Sequence, residues 1–102
     1  MEDRNVYQDA IDKWGTIAQL DQMVEEMAEL TLAISKYKRQ FTDSLLDYQK
    51  VGVMENLYTE IADVKLMIEE MEFMFGKENV QKAYDKQMKK FQLELYGKNQ
   101  EN

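Results

Sequence analysis

Acidic residues spaced three apart are the feature of this sequence with the clearest chemical potential. Residues at this spacing lie on one side of an α-helix, so such a pair can direct two carboxylates at one point. Asp and Glu make up 20 of the 102 residues, so the spacing also arises by chance, and placement must decide between the pairs. The pairs are Asp9 and Asp12, Glu26 and Glu29, Glu60 and Asp63, and Glu69 and Glu72.

The residues that are absent narrow the chemistry further. The sequence has no cysteine and no histidine, which excludes disulfides, thiolate zinc sites, Cys nucleophiles and His general bases. Any metal ion must be held by oxygen ligands, which suits Mg²⁺, with Mn²⁺ as the alternative. A general base must be a carboxylate, a lysine or a metal-bound water.

Charge and hydropathy limit the partners. The formal net charge of −7 repels a nucleic-acid backbone, so we expect no binding to DNA or RNA. The sequence opens with no secretory signal pattern and contains no apolar run of transmembrane length, so we expect no membrane association and a cytoplasmic location.

The chain has no proline and only four glycines, a composition that favours long helices. We predict an all-α fold in a single domain over residues 1–97, followed by a polar tail at 98–102. Residues 41–52 show no sustained period and suit a loop, and Thr16 is a candidate N-cap. The predicted helices cover about 5–13, 16–40, 53–75 and from 78 or 79 to the glycine at 97.

Apolar residues at steps of three and four predict which helix faces turn inward. Glu26 and Glu29 flank the stripe of the second helix, and Glu60 and Asp63 flank that of the third. Carboxylates so close to a core are costly to desolvate unless something neutralises them. Two such pairs on antiparallel helices would surround one divalent cation. The predicted stripes are Leu20, Val24, Met27, Thr31 and Ile34; Leu57, Ile61, Val64, Ile68, Met71 and Phe75; and Val80, Tyr84, Met88, Phe91 and Leu95.

The other acidic pairs are weaker candidates. Glu69 and Glu72 lie on the opposite flank of the third helix, and no matching pair faces them from a partner helix in this chain. We interpret this pair, and the pair in the first helix, as solvated helix edges.

The third helix is apolar almost all round in its second half, which predicts burial on more than one side. Four helices cannot cover it well alone, so we expect a homodimer or homotetramer. The alternative is a Met-rich face that binds an unrelated partner. The additional apolar residues are Leu66, Met67, Phe73 and Met74.

These residues resemble a known signature. The segment Glu25-Glu26-Met27-Ala28-Glu29, followed later by Glu60-Ile61-Ala62-Asp63, resembles the EExxE…ExxD motif of MazG-like nucleoside triphosphate pyrophosphohydrolases. The approach Trp14-Gly15 with Gln19-Leu20-Asp21, and the run from Ala33 to Arg39, are also similar to that family. The resemblance covers about residues 14–90.

The resemblance implies a four-helix MazG-like domain that works as a homo-oligomer. It implies Mg²⁺-dependent cleavage of an NTP or dNTP to the monophosphate and pyrophosphate. Glu26, Glu29, Glu60 and Asp63 match the metal ligands of the family, and Glu25 matches the acid that orients or deprotonates the attacking water. The spacing between the two motifs is long for compact members of the family.

The phosphate contacts of the family correspond here to Lys86, Lys89 and Lys90, although Lys90 stands near an expected Asn and no clear Arg follows. The alternative for these lysines is a solvated basic face near the end of the last helix, where it complements the helix dipole. Trp14 is a candidate to stack on the nucleobase. Its alternative role is packing between helices.

Two functions of another class compete with the enzyme. One is a non-enzymatic helical interaction module that uses the Met-rich face of the third helix. The other is an acidic inhibitor that mimics nucleic acid. Mimicry predicts acids spread over one broad outer surface, whereas the enzyme predicts four acids that converge in a cleft.

Overall fold

The computed structural model describes residues 5–42 and 47–97, and this part of the chain is helical throughout apart from short turns, with no strand. The predicted all-α class is therefore confirmed. Four long helices are α1 (Val6–Trp14), α2 (Thr16–Arg39), α4 (Val53–Phe75) and α5 (Lys77–Tyr96). Between α2 and α4 lie a 3₁₀ turn (Gln40–Thr42) and the one-turn helix α3 (Asp47–Lys50).

The helix boundaries follow from local chemistry. The Asn5 side chain accepts hydrogen bonds from the backbone N–H groups of Tyr7 and Gln8 and so caps α1. Gly15 separates α1 from α2 with a φ of 90°, a left-handed conformation that costs glycine nothing. The prediction of Thr16 as N-cap was wrong, because Gly15 takes that position and Thr16 is the first residue inside α2.

The start of the last helix is set by another glycine. Gly76 has a φ of 106°, and a Cβ there would lie 2.8 Å from the side-chain nitrogen of Asn79. Because this positive φ favours glycine, α4 ends at Phe75 and α5 begins at once, at Lys77 rather than at 78 or 79. The predicted loop at 41–52 contains the helix α3, while its residues 43–46 lie outside the described residues, as does the predicted tail at 98–102.

Contacts group the chain into two compact units, residues 1–70 and 71–102. In the first unit α2 and α4 run antiparallel, because Gln19 early in α2 meets Glu70 late in α4, whereas Glu26 meets Glu60 further back. The α1 helix is tied to α4 by the Tyr7 hydroxyl, which donates a 2.6 Å hydrogen bond to the carboxylate of Glu69.

The face of α2 that packs inward differs from the predicted one. Met23 and Ala33 are buried, with 3% and 1% of their surface exposed, whereas Val24, Met27 and Ile34 on the predicted stripe are 63%, 45% and 45% exposed. The packed face is rotated by about one residue, roughly 100°. It runs in steps of four and three through Gln19, Met23, Glu26, Leu30, Ala33 and Tyr37, all of them buried or half-buried.

The predicted stripe of α4 is only partly correct. Val53 and Val64 are buried and Leu57 is half-buried, but Ile61 and Ile68 remain about half exposed. Glu60 is half-buried and Glu70 is buried. Carboxylates therefore occupy positions on the packed face of α4 where a core helix normally has apolar residues.

The second unit holds the end of α4 and all of α5. Val80 and Met88 of α5 are half-buried, as is Met71 of α4. The predicted inward positions at Phe75, Tyr84, Phe91 and Leu95 were wrong, because these side chains are 56–61% exposed.

No helix in the described ranges has the length and apolarity needed to cross a membrane.

Candidate metal centre

Three carboxylates from α2 and α4 meet at one point. Glu26, Glu60 and Asp63 each place a carboxylate oxygen within 4.8 Å of the others, and all three are half-buried. The antiparallel course of the two helices brings them together, since Glu26 projects from the packed face of α2 towards a turn of α4 that carries both other acids. Carboxylates alone, in this number, are a ligand set for a hard divalent cation such as Mg²⁺.

Two acceptor atoms of this cluster are buried without a hydrogen-bond donor in the described part of the chain. The Oε2 atoms of Glu26 and Glu60 are buried, and no partner for either lies within residues 5–42 and 47–97. A buried carboxylate oxygen without a donor carries a desolvation cost of about 1–3 kcal/mol or more. A cation coordinated by these atoms would remove that cost, so the cluster fits a metal site.

Glu29 joins the cluster from the exposed side of α2. The nearby charge of Glu60, followed by desolvation, raises the pKa of Glu29 above its ordinary value. The structure therefore brings Glu26, Glu60 and Asp63 to ligand spacing, and the fourth predicted ligand, Glu29, is not part of that group.

The electrostatics of Glu26 show the same crowding. Burial is the largest cause that raises its pKa, and the negative charges of Glu29 and Asp63 add to it. The Gln22 amide opposes this effect by donating a 2.6 Å hydrogen bond to Oε1 of Glu26. Without a cation, Glu26 therefore holds its proton more tightly than a free carboxylate does.

The other predicted site residues lie at varied positions. Glu25 is exposed on α2, next to Glu26 in the chain. Trp14 ends α1 with 58% of its surface exposed, and the Lys13 ammonium lies 5.2 Å from its ring centre. Lys86, Lys89 and Lys90 are exposed on α5 in the second unit. The roles proposed for these five residues stay predictions.

Of the remaining acidic pairs, Asp9 and Asp12 are exposed as predicted, whereas Glu69 and Glu72 are half-buried and not the solvated helix edge that we predicted. Glu69 accepts the Tyr7 hydroxyl, and Asp12 accepts a 2.8 Å hydrogen bond from the side chain of Gln8 one turn earlier. Within residues 5–42 and 47–97, the group formed by Glu26, Glu60 and Asp63 is the one acidic cluster with metal-ligand spacing.

Three polar residues beside the cluster were missed in the sequence. Glu70 is 2% exposed and Gln19 is 8% exposed, and burial raises the pKa of Glu70. The Gln19 amide nitrogen lies 2.9 Å from both carboxylate oxygens of Glu70 in the orientation that lets it donate. A seven-residue spacing was the available signal, because Gln19 precedes Glu26 and Glu70 follows Asp63 by two helical turns on the same face. The third missed residue is Gln22.

No protein-family model, no curated protein and no solved structure matches this chain. The case for a function therefore rests on the geometry of the carboxylates and on the order of the motif residues.

Proposed function

We propose that this protein hydrolyses a nucleoside or deoxynucleoside triphosphate to the monophosphate and pyrophosphate in a Mg²⁺-dependent reaction. The observation that carries the proposal is the convergence of carboxylates from two helices with two buried oxygens that have no partner in the described part of the chain. The EExxE…ExxD order of these residues, which resembles the MazG-like signature, selects this reaction among those that Mg²⁺ supports.

Each acid has a distinct task in this proposal. Glu26, Glu29, Glu60 and Asp63 would hold the cation, which supplies neutralisation of phosphate charge and acidification of a coordinated water. Gln22 fixes the Glu26 side chain through its 2.6 Å hydrogen bond, so this ligand is oriented in advance. Glu25 is exposed, next to Glu26 in the sequence, and would accept the proton of the attacking water.

Contacts to the rest of the substrate are proposed from residue chemistry. Lys86, Lys89 and Lys90 carry compact ammonium groups, exposed on α5, that suit the β- and γ-phosphates. Trp14 offers an exposed indole on which a nucleobase could stack.

A product analysis tests the proposed reaction. We expect incubation with the common NTPs and dNTPs and millimolar Mg²⁺ to release pyrophosphate and the monophosphate, and EDTA to abolish the release. Ion-exchange chromatography of the nucleotides, with a separate assay for pyrophosphate, measures both products.

Two outcomes of this assay would contradict the proposal. Release of orthophosphate with a nucleoside diphosphate would place the cleavage at the γ-phosphorus and exclude a pyrophosphohydrolase. A protein that turns over no triphosphate yet binds a helical partner would favour the alternative, a non-enzymatic interaction or inhibitor module that uses the Met-rich face of α4.

We also propose that the chain assembles as a homo-oligomer. Exposed apolar residues follow α4 at seven-residue spacing through Met54, Ile61 and Ile68, while Val53 and Val64 face the interior. A second apolar stripe through Val24, Met27 and Ile34 stays exposed on α2 in the same way. Seven-residue apolar stripes on long helices are typical of helix–helix association, and a second copy of the chain supplies matching stripes.

Light scattering coupled to size-exclusion chromatography is expected to give a mass of at least twice the 12.1 kDa of one chain. The substitution Ile68→Glu places a charge in the proposed interface, so we expect it to shift the mass towards 12.1 kDa. Thr59→Glu adds the same charge on the opposite side of α4 and should leave the mass unchanged. A wild-type mass of one chain at micromolar concentration would exclude the assembly.

A further inference from the structure

A cavity of about 410 Å³ lies beside the carboxylate cluster, within the first unit. Trp14, Ala18, Gln19 and Gln22 line it from α1 and α2, and Met67 lines it from α4. Its size falls in the range of sites for small organic ligands. An indole, a thioether and a methyl group next to two amides suit a flat, polar-edged aromatic ring.

The two glutamines of the cavity are both tied to carboxylates. Gln22 donates its amide nitrogen to Glu26 at 2.6 Å, and Gln19 directs its amide nitrogen at the two oxygens of Glu70, each at 2.9 Å. Because both nitrogens are engaged, each amide has its carbonyl oxygen left to face a ligand. The two glutamines are three residues apart on α2, so these oxygens lie on one wall of the cavity.

Glu70 is the group that makes this arrangement specific. It is 2% exposed, and its equal distances to the Gln19 nitrogen match a carboxylate that accepts with both oxygens. A buried carboxylate without such donors is costly, so Glu70 prevents Gln19 from turning its oxygen inward. The amide would otherwise rotate to suit either a donor or an acceptor on the ligand.

We propose that this cavity is a nucleobase subsite, and that Gln19, held by Glu70, makes it select bases with an exocyclic amino group over uracil and thymine. Two carbonyl oxygens accept the N–H groups of an amino substituent, as in cytosine or adenine. Uracil and thymine offer a single N–H between two carbonyl oxygens. Those carbonyl oxygens would face the glutamine oxygens and be repelled by them. This inference rests on the proposed function in one respect, that the ligand is a nucleotide. The selection between bases comes from residues outside the metal cluster.

Fluorescence of Trp14 provides a direct test, because it is the one tryptophan of the chain and it lines the cavity. The full chain would be titrated in EDTA with cytidine, adenosine and uridine. These nucleosides lack phosphates, so binding needs neither metal nor turnover. We expect cytidine and adenosine to quench the fluorescence with a Kd about tenfold or more below that of uridine, as one well-formed hydrogen-bond pair predicts.

Two variants assign the selection to the glutamine. Glu70→Gln frees the Gln19 amide to rotate, and Gln19→Met removes its acceptor at similar volume, so each should bring the ratio of the Kd values close to one. The matched control Glu69→Gln alters the neighbouring carboxylate, which contacts Tyr7 instead, and should keep the ratio. Circular dichroism verifies that each variant is folded.

The outcomes separate this inference from the enzymatic proposal. Equal affinity for cytidine and uridine, or a ratio that both variants preserve, would overturn the selection. The absence of quenching by any nucleoside would overturn the subsite itself, even in a protein that releases pyrophosphate. Selective quenching in a protein without pyrophosphohydrolase activity would retain the subsite and remove the proposed reaction.

Discussion

Replacing Glu60 by glutamine is expected to lower kcat/KM for the preferred triphosphate by 100-fold or more. Glu60 contributes a buried oxygen to the cluster, and no partner for that oxygen lies in the described part of the chain. Glutamine has nearly the same shape but carries no charge and offers one oxygen instead of two. A metal ion stabilises the transition state of such a reaction by several kcal/mol, and each 1.4 kcal/mol corresponds to about tenfold in rate.

The matched control for this effect is Glu72→Gln on the same helix. Glu72 shares the three-residue spacing of the motif acids, but it is not among the carboxylates that converge with Glu26. Steady-state kinetics with the pyrophosphate assay would compare both variants with the wild type. Full turnover by Glu60→Gln, or an equal loss in Glu72→Gln, would remove the cluster from the reaction.

Glu25 gives a complementary measurement on the same assay. It does not belong to the group of three acids with ligand spacing, and its proposed task is proton acceptance. Glu25→Gln should therefore lower kcat while leaving Mg²⁺ binding intact, whereas Glu60→Gln should weaken both. Loss of turnover alone identifies a general base, whereas loss of both turnover and Mg²⁺ binding identifies a metal ligand.

Helix bounds were predictable in this sequence because its glycines mark them. All four glycines stand at the ends of the long helices with positive φ, and α4 runs over the predicted residues, Val53–Phe75. The start of α5 was predicted one or two residues late, since the positive φ of Gly76 and the position of the Asn79 side chain beside it are not visible in the pattern of residue types.

The packed face of α2 was not predictable from hydropathy, and the reason is physical. The helix has two adjacent stripes, and hydropathy favours the one through Val24, Met27 and Ile34. The structure instead packs the stripe that includes Gln19 and Glu26, whose polar groups lower its apolar score. Hydropathy therefore underestimates the burial of a helix face that carries polar side chains. The more apolar face of α2 remains exposed on the single chain.

The same effect explains which site residues were found. Glu26, Glu29, Glu60 and Asp63 could be predicted because their pairs flank apolar stripes on two helices and follow the order of the motif. Glu70 has no spaced partner on α2, and the group that engages it is the amide of Gln19 rather than a second acid. The seven-residue spacing places Gln19 on the face of Glu26 and Glu70 on the face of Asp63, but it does not pair an amide with an acid on another helix. Three-dimensional proximity was needed to reveal that contact.

The second large expected effect is on stability, where Glu26→Gln should remove most of the stabilisation by Mg²⁺. Because burial and neighbouring charges raise the pKa of Glu26 in the folded protein, the ionised group destabilises the fold at neutral pH. In EDTA we therefore expect Glu26→Gln to melt a few degrees above the wild type. With Mg²⁺ at about ten times its Kd, the wild type should gain about 1.4 kcal/mol, which is roughly 5–10 °C for a domain of this size, and the variant little.

The pH dependence of the melting temperature in EDTA independently tests whether the ionised carboxylates destabilise the fold. A carboxyl group whose pKa is higher in the folded state binds its proton more tightly there, so the free energy of unfolding rises as pH falls from neutral through that raised pKa. Glu26 and Glu29 both have raised pKa values, which predicts a wild-type melting temperature that increases on mild acidification. Glu26→Gln should flatten this increase, and millimolar Mg²⁺ should suppress it because the cation favours the ionised carboxylates.

Differential scanning fluorimetry at fixed protein concentration measures all four conditions, with and without Mg²⁺ at neutral and mildly acidic pH. Glu69→Gln is the control, since its carboxylate contacts Tyr7 and does not belong to the cluster. A wild-type melting temperature that does not change with Mg²⁺ and falls on mild acidification would contradict the metal centre. Such a result would mean that crowded carboxylates are compensated by protein groups alone, and the buried Oε2 atoms of Glu26 and Glu60 argue against that.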